Sequence, residues 1–156
     1  MTDTARLAPA AYEDLDTETQ SFVAPRLEAA ATRNILMTLA RYPALLKRWM
    51  PITRYTFNEN GLESSDSELI CLRTSWLCNA RYEFTQHAKI ALGRGLSGQQ
   101  IDATVVGPQA SCFSDRQKAV LRAVDQLVAA KNIDDSLWVD LESHYDQKQI
   151  MDIVFS

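Results

Sequence analysis

The chain contains two histidines, and one of them, His87, lies at a helical spacing from an acidic residue. Glu83 precedes His87 by four residues, so on a helix both side chains lie on one face. The other residues of that face are apolar, namely Ala80, Phe84, Ala88 and Ala91. A shielded carboxylate–imidazole pair can transfer protons, because the carboxylate orients a ring that titrates near neutral pH. The same spacing also fits an exposed contact without a chemical role.

A second carboxylate, Glu68, stands on the preceding predicted helix, with Trp76 on its face. Glu68 could take part in proton transfer, or it could serve only a capping box at the start of that helix. Arg73 and Arg81 interrupt otherwise apolar stretches. Either guanidinium could neutralise a carboxylate or bind an anionic substrate through two parallel hydrogen bonds.

The remaining chemistry-bearing residues do not form a known pattern. Cys71, Cys78 and Cys112 match neither a disulfide framework nor a zinc site. Cys71 and Cys78 would lie about 10.5 Å apart along one helix, beyond the reach of a disulfide, so we expect three reduced, buried thiols. His144 is expected at the surface near a helix end. The chain lacks a glycine-rich phosphate loop and a paired metal-ligand motif, so no cofactor and no metal are predicted.

Composition excludes several classes of function. The formal charge of −4 argues against a nucleic-acid partner. Lys47, Arg48 and Arg54 lie close together in sequence, but they fit a solvated helix face. No apolar stretch is long enough to span a membrane, and the first ten residues do not resemble a secretory signal. We therefore predict no membrane association and a cytoplasmic location.

Scarce glycine and proline, together with recurring helical periodicity, predict an all-α fold. Residues 1–10 are expected to be a flexible N-terminus, and residues 11–156 a single helical domain. Helices are predicted over 15–22, 32–42, 44–57, 66–79, 80–94 and 98–105, after Ser114, from Asp134 or Asp135, and over 147–155. Capping boxes are predicted at Ser65, Ser97 and Ser114, and Pro51 is expected to bend or split its helix. The apolar last helix should contact a partner chain or continue further.

The stretch from Glu68 to Gly93 resembles the core of the carboxymuconolactone decarboxylase and alkylhydroperoxidase AhpD-like superfamily. It reads Glu-Leu-Ile-Cys-Leu-Arg-Thr-Ser-Trp-Leu-Cys-Asn-Ala-Arg-Tyr-Glu-Phe-Thr-Gln-His-Ala-Lys-Ile-Ala-Leu-Gly. Asn34, Pro43 and Leu96-Ser97 also fit the family style. AhpD-like peroxidases carry Cys-x-x-Cys before the histidine, where this chain has Ala80 and Glu83. The pattern is therefore more similar to the decarboxylase-type branch.

This resemblance implies an AhpD-like helical bundle that assembles into trimers or hexamers. It also implies cofactor-free decarboxylation or isomerisation of a small carboxylated lactone or ring acid, as in the breakdown of aromatic compounds. In that reaction His87 would move the proton that replaces CO2, Glu83 would orient His87, and Glu68 would complete the relay. Arg73 or Arg81 would hold a substrate carboxylate. Tyr82 and Trp76 would shape the pocket, although Trp76 also fits the core.

Two alternatives differ in kind from this carbon–carbon lyase. One is a non-catalytic oligomeric binding protein of the same fold. The other is a thiol-dependent, peroxidase-like antioxidant protein that uses Cys78 with a partner thiol. The substrate, and the choice between decarboxylase, isomerase and inactive protein, stay open at this point.

Overall fold

A computed structural model describes residues 6–27 and 33–156 of this chain. Over those residues the structure is helical and contains no strand, which confirms the predicted all-α class. The helices are α1 (Thr17–Val23), α2 (Arg33–Leu39), α3 (Pro43–Arg54), α4 (Ser64–Leu77), α5 (Arg81–Gly93), α6 (Gly98–Ala103), α7 (Asp115–Ala130), α8 (Asp135–Glu142) and α9 (Gln147–Phe155). Two 3-10 turns, Tyr12–Asp14 and Ala24–Arg26, and one π turn, Tyr55–Glu59, complete the helical segments.

The chain divides into two compact units, Met1–Arg54 and Tyr55–Ser156. The prediction of one domain over residues 11–156 stays a prediction. The first five residues of the expected flexible terminus lie outside the described residues. Further along, the Ala10 N–H donates to the Met37 carbonyl at 3.0 Å, and the Ala8 carbonyl accepts from Arg41 Nε at 2.6 Å.

The first unit has its own small apolar core, formed by Val23, Leu36, Met37, Ala40 and Leu46. Pro43 is the first residue of α3, one residue before the predicted start, and its missing N–H costs nothing at that position. The expectation that Pro51 splits this helix is wrong. The helix runs through Pro51 to Arg54 and changes to a π turn only at Tyr55.

The second unit is built around α4, which packs against α5 on one side and α7 on another. Leu69 and Leu72 of α4 are fully buried in the main core, as are Val120 and Leu121 of α7. A helix with neighbours on both sides is buried nearly all round, and α4 accordingly buries eight of its fourteen residues, three of them charged. Those buried charged residues of α4 are the most informative side chains of the unit.

Local capping chemistry sets several helix starts. Ser97 and Ser114 form the two predicted capping boxes, with Gln100 and Gln117 as their partners. The capping box predicted at Ser65 is wrong. The helix α4 begins at Ser64, two residues before the predicted start, and its N-cap residue Glu63 makes no side-chain cap hydrogen bond. Glu68 is thereby free of the capping role that its spacing suggested. Within the described residues, no helix is long and apolar enough to cross a membrane.

Candidate active site

A buried carboxylate–imidazole pair joins α4 to α5. Nδ1 of His87 lies 2.8 Å from Oε2 of Glu68. Glu68 is completely buried and His87 is 5 % exposed. The Nδ1–H donates to the carboxylate, so the ring orientation is fixed and Nε2 is left for another partner. The predicted relay between Glu68 and His87 is therefore a direct contact in the structure.

Arg94, directly after α5, contacts the carboxylate of this pair. Its Nη1 lies 3.2 Å from Oε1 of Glu68, an ion-pair contact that lacks hydrogen-bond geometry. The same guanidinium donates to the Phe57 carbonyl at 2.9 Å and to Oδ1 of Asn58 at 3.3 Å. One cation thus balances the buried carboxylate and holds the π turn Tyr55–Glu59 beside it.

That π turn places an aromatic ring on the imidazole. Phe57 stacks on His87 with ring centroids 5.3 Å apart and an interplanar angle of 19°. Asp152 of α9 accepts from the hydroxyl of Tyr55, the first residue of the turn, at 2.6 Å and from the N–H of Gly61, two residues after the turn, at 2.8 Å. π turns are uncommon and are often found at functional sites. Here the turn shields one face of the histidine from water.

The pKa of His87 is strongly perturbed. Burial is the largest single influence and lowers this pKa, but interactions with the neighbouring Glu68 and Cys71 side chains outweigh it. Together they raise the pKa of His87 to about 10. The ring is therefore an imidazolium at neutral pH, which makes it a proton donor with a base beside it.

Cys71 is the third member of this cluster. It follows Glu68 by three residues on α4, so both side chains lie on one helix face. Its thiol is one of the two neighbouring groups that raise the pKa of the His87 ring. The three cysteines are free, as expected, but they are not all buried. Cys71 and Cys112 are half-buried and Cys78 is exposed.

The other predicted site residues on and near α5 lie further out. Glu83 is half-buried in the first turn of α5, and the Nδ1–H of His87 donates to Glu68 rather than to Glu83. Arg81 is exposed and Tyr82 is 37 % exposed. Trp76 is 47 % exposed, with an edge contact to Phe84 at 6.1 Å, so the expectation of core packing for Trp76 is wrong.

Arg73 is engaged within the unit rather than with the histidine. It makes two hydrogen bonds to Asp125, at 2.6 and 3.0 Å, and two to the carbonyls of Thr104 and Val105. Gly107 leaves room for this guanidinium, since a Cβ there would lie 2.6 Å from Nη2 of Arg73. Four of the five N–H groups of Arg73 are thus used, and the structure does not bring this residue to the Glu68–His87 pair.

A second buried carboxylate, Asp66, lies two residues before Glu68. Its Oδ2 accepts from the Tyr145 hydroxyl at 2.9 Å and forms an ion pair with Nη2 of Arg116 at 2.7 Å. The guanidinium of Arg116 also stacks on the Tyr145 ring, with Cζ 4.8 Å from its centroid. Burial raises the pKa of Asp66, while the bond from Tyr145 and the charge of Arg116 lower it less.

His144 lies apart from this chemistry. Its side chain is 28 % exposed and is 4.0 Å from Asp140. It lines an open surface cavity of about 510 Å³ together with Lys118, Arg122 and Asp115. Arg122 is paired with Asp140, and Lys118 with Asp115, so the charges of this cavity largely balance one another. We find no metal-binding cluster of His, Cys, Asp and Glu among the residues described.

The comparison with protein families identifies the family of this chain. The model of the carboxymuconolactone decarboxylase family matches residues 43–126, which is more than half of the chain. The chain belongs to the carboxymuconolactone decarboxylase family. The match runs from the start of α3 into α7 and includes Phe57, Glu68, Cys71, His87 and Arg94.

One curated relative and several solved structures are similar to this chain. The uncharacterized protein YdfG of Bacillus subtilis is 25 % identical over 114 residues, 72 % of this chain and 77 % of YdfG. An uncharacterized peroxidase-related protein from Silicibacter sp. TM1040 superimposes with a TM-score of 0.84 at 18 % identity, over 99 % of this chain and 85 % of its own. The debrominase Bmp8, solved with 2,3,4-tribromopyrrole, has a TM-score of 0.78 at 12 % identity, over 99 % and 83 %. The AhpD-like helical fold is therefore confirmed, and at these identities the structures support the fold alone.

Sequence reasoning missed three residues of the site. Arg94 directly follows α5 and Phe57 lies in the π turn before α4, but neither was predicted to belong to the site. Cys71 was expected to be a reduced, buried thiol. The spacing of Cys71 from Glu68, three residues on one helix, was a usable signal. Once Glu68 is placed against His87, the same helix face carries the thiol to the ring as well.

Proposed function

We propose that this family member catalyses cofactor-free proton transfer on a small carboxylated lactone or ring acid. Decarboxylation is the reaction we favour, with isomerisation as the alternative at the same histidine. The observation that carries the proposal is the buried His87 imidazolium held by Glu68. A positioned, protonated imidazole in a water-poor site is a general acid suited to protonating carbon.

In the proposed reaction the carbon–carbon bond to the substrate carboxylate breaks, and its electron pair stays on the ring system. CO2 leaves, and His87 gives its proton to the carbon that lost it. Glu68 stabilises the imidazolium before transfer and keeps the ring in place during transfer. A proton from solvent then restores the imidazolium. An isomerisation would use the same two groups but would return the proton to a different carbon.

The guanidinium that would hold the substrate carboxylate is Arg81 in this proposal, since Arg73 is already occupied by Asp125. Arg81 is exposed at the start of α5, next to the partly exposed Tyr82. Glu83 stays a candidate for contact with the substrate or for a second proton-transfer step. These assignments agree with an anionic substrate that approaches along the first turn of α5.

We also propose that the chain forms a homo-oligomer in the cytoplasm. The large apolar residues Val139 of α8 and Met151 and Phe155 of α9 are more than 60 % exposed. Exposed apolar side chains of this size are typical of surfaces that contact another protein. A second copy of the chain is the partner that the family resemblance suggests.

The test is CO2 release from a panel of carboxylated lactones and ring acids, measured for wild type, His87→Ala and His144→Ala. We expect the His87 variant to lose about 10²- to 10⁴-fold in turnover, the usual contribution of a general acid. The His144 variant is the matched control, because it removes the other histidine without touching the Glu68 pair. Turnover that survives in His87→Ala would reject the proposal. No turnover with any compound in folded wild type would favour the non-catalytic alternative.

A further inference from the structure

The guanidinium of Arg94 is shared between two parts of the site. Its Nη1 lies 3.2 Å from Oε1 of the buried Glu68. The same group donates to the Phe57 carbonyl at 2.9 Å and to the side chain of Asn58 at 3.3 Å. Phe57 is the residue whose ring stacks on His87. One side chain therefore contacts both the carboxylate that holds the imidazole and the backbone of the residue that covers it.

We propose that Arg94 is a positioning residue for His87, and that it acts by holding the Phe57 ring over the imidazole as a cover against water. The proposal rests on the proposed function, because the cover serves a proton-transfer reaction at His87. Water that reached the imidazole would exchange its proton with solvent and compete with the substrate for it. The cover itself can be measured without any turnover.

The π turn needs a hydrogen-bond donor at this place. Phe57 lies in the turn Tyr55–Glu59, and the chain leaves the helical conformation at Asn60. The last carbonyls of a helical segment lack an N–H partner within it, and a cationic side chain often supplies the missing donor. Arg94 supplies this donor to the carbonyl of Phe57 itself. Without it the carbonyl would be hydrated instead, and the ring on the same residue would move with it.

Other contacts hold the segment at its flanks. Asp152 of α9 accepts from Tyr55, the first residue of the turn, and from Gly61, two residues after it. The two hydrogen bonds of Arg94 instead act on Phe57 and on the residue that follows it. We therefore expect substitution of Arg94 to release the aromatic ring while the flanks of the turn stay in place.

The second buried carboxylate of α4 provides a matched control. Arg116 forms an ion pair with Asp66 at 2.7 Å, just as Arg94 does with Glu68 at 3.2 Å. Arg116→Gln therefore removes an arginine from a buried carboxylate and leaves the donors to Phe57 in place. If Arg94 only balanced a buried charge, both substitutions would lower stability and neither would move the aromatic cover.

Proton NMR of the full chain with isotope-labelled histidine measures the cover, because the chain has two histidines and His144 serves as the internal reference. A stacked ring shifts the carbon-bound protons of His87 upfield, and shielding from water slows exchange of its N–H protons below that of His144. Arg94→Gln should abolish the upfield shift. It should also speed the N–H exchange about tenfold or more, the opening expected when a segment loses two hydrogen bonds. Arg116→Gln should change neither signal of His87.

Phe57→Leu tests whether Arg94 acts through the ring. It removes the aromatic cover but keeps the carbonyl that accepts from Arg94, so it should speed the exchange about as much as Arg94→Gln does. The double variant should add little to either single change. Unchanged His87 signals in Arg94→Gln, or an effect of Arg94→Gln that persists in the Phe57→Leu background, would overturn the proposal.

Folding of each variant is checked by circular dichroism. If Arg94→Gln does not fold, Arg94→Lys takes its place, because it keeps a positive charge near Glu68 but lacks the planar fork of donors. The same loss of the upfield shift is expected in Arg94→Lys, and wild-type signals at His87 in that variant would overturn the proposal as well.

Turnover separates the positioning role from the proposed function. Arg94→Gln should lower kcat about tenfold, because His87 is less well placed, and should leave KM nearly unchanged. Altered His87 signals in Arg94→Gln without CO2 release from any compound by wild type would refute the proposed function alone. Turnover that needs His87, together with His87 signals that do not respond to Arg94→Gln, would refute the positioning role alone.

Discussion

Two buried carboxylates, Asp66 and Glu68, stand two residues apart on α4, and their surroundings differ in one respect. Each is almost inaccessible and each has an arginine within ion-pair distance. Asp66 accepts its hydrogen bond from the phenol of Tyr145, whereas Glu68 accepts from the imidazole of His87. A two-residue step turns a helix by about 200°, so the two carboxylates face different neighbours.

The two carboxylates are equally buried, so they differ in the kind of hydrogen-bond partner and not in burial. Burial raises the pKa of Tyr145, and the negative charge of Asp66 raises it further, so the phenol keeps its proton throughout the neutral range. Arg116 is likewise always protonated. The two partners of Asp66 therefore keep their protons at neutral pH, and through them Asp66 joins the start of α4 to Arg116 of α7 and to Tyr145. The Glu68 cluster instead contains an imidazole, the side chain that most often acts as a general acid or base.

The sharpest test of this comparison pairs Glu68→Gln with Asp66→Asn. Each change removes a buried charge and keeps the shape of the side chain. Glu68→Gln should reduce turnover about 100-fold, because the imidazolium loses the charge that stabilises it. Asp66→Asn should leave turnover unchanged but lower the free energy of unfolding by about 1–3 kcal/mol, the usual cost of leaving a buried polar group unsatisfied.

Urea unfolding and CO2 release measured on the same two proteins give the comparison. A variant at position 66 that is stable but inactive would mean that both carboxylates serve the reaction, and the distinction between the clusters would be lost.

A second test separates the clusters by pH. The folded pKa of His87, about 10, is above the ordinary value of 6.5. The folded state therefore binds more protons between these values, so the stability that His87 contributes is complete below about pH 6.5 and is lost as pH rises towards 10. Urea unfolding of wild type should show a free energy of unfolding that falls across this range.

His87→Gln should remove most of that slope, whereas His144→Gln should not change it. An equal slope in wild type and in His87→Gln would show that His87 does not gain its proton affinity from Glu68 and Cys71.

The smallest effect is expected at the phenol. Tyr145→Phe removes one hydrogen bond to Asp66 and leaves the ring to stack on Arg116. We expect a loss of about 1 kcal/mol in the free energy of unfolding, typical of one hydrogen bond, and no change in turnover. Thermal denaturation followed by circular dichroism measures it. A drop in turnover would connect the Asp66 cluster to the reaction after all.

Much of the fold follows from local sequence. Ser97, Ser114 and Asp134 carry helix-capping side chains whose partners are three residues away, and each forms its predicted helix start. The capping box predicted between Ser65 and Glu68 does not form, because Glu68 makes a tertiary contact instead of a local one. Oε2 of Glu68 bonds to His87, nineteen residues away, and the helix starts without a side-chain cap.

The candidate site could be predicted only in part, because its contacts also combine local and tertiary ones. Periodicity places Glu83 and His87 on one face of α5, but it does not specify which helix faces them. The packing of α4 on α5 made Glu68 the hydrogen-bond partner, and the position of Asp125 on α7 drew Arg73 away from the site. Residues that depend on a single helix were predictable. Residues that depend on two helices needed the structure.

The π turn Tyr55–Glu59 has a consequence for how this site could diverge between relatives. Each residue of an α-helix turns the chain by about 100°, so loss of one residue from the turn would swing the Phe57 ring off the imidazole. Every side chain of the relay would stay the same. Deletion of a single codon would therefore change the access of a larger compound to His87. Substrate range could then differ between relatives through the length of this segment, while the reacting groups stay the same.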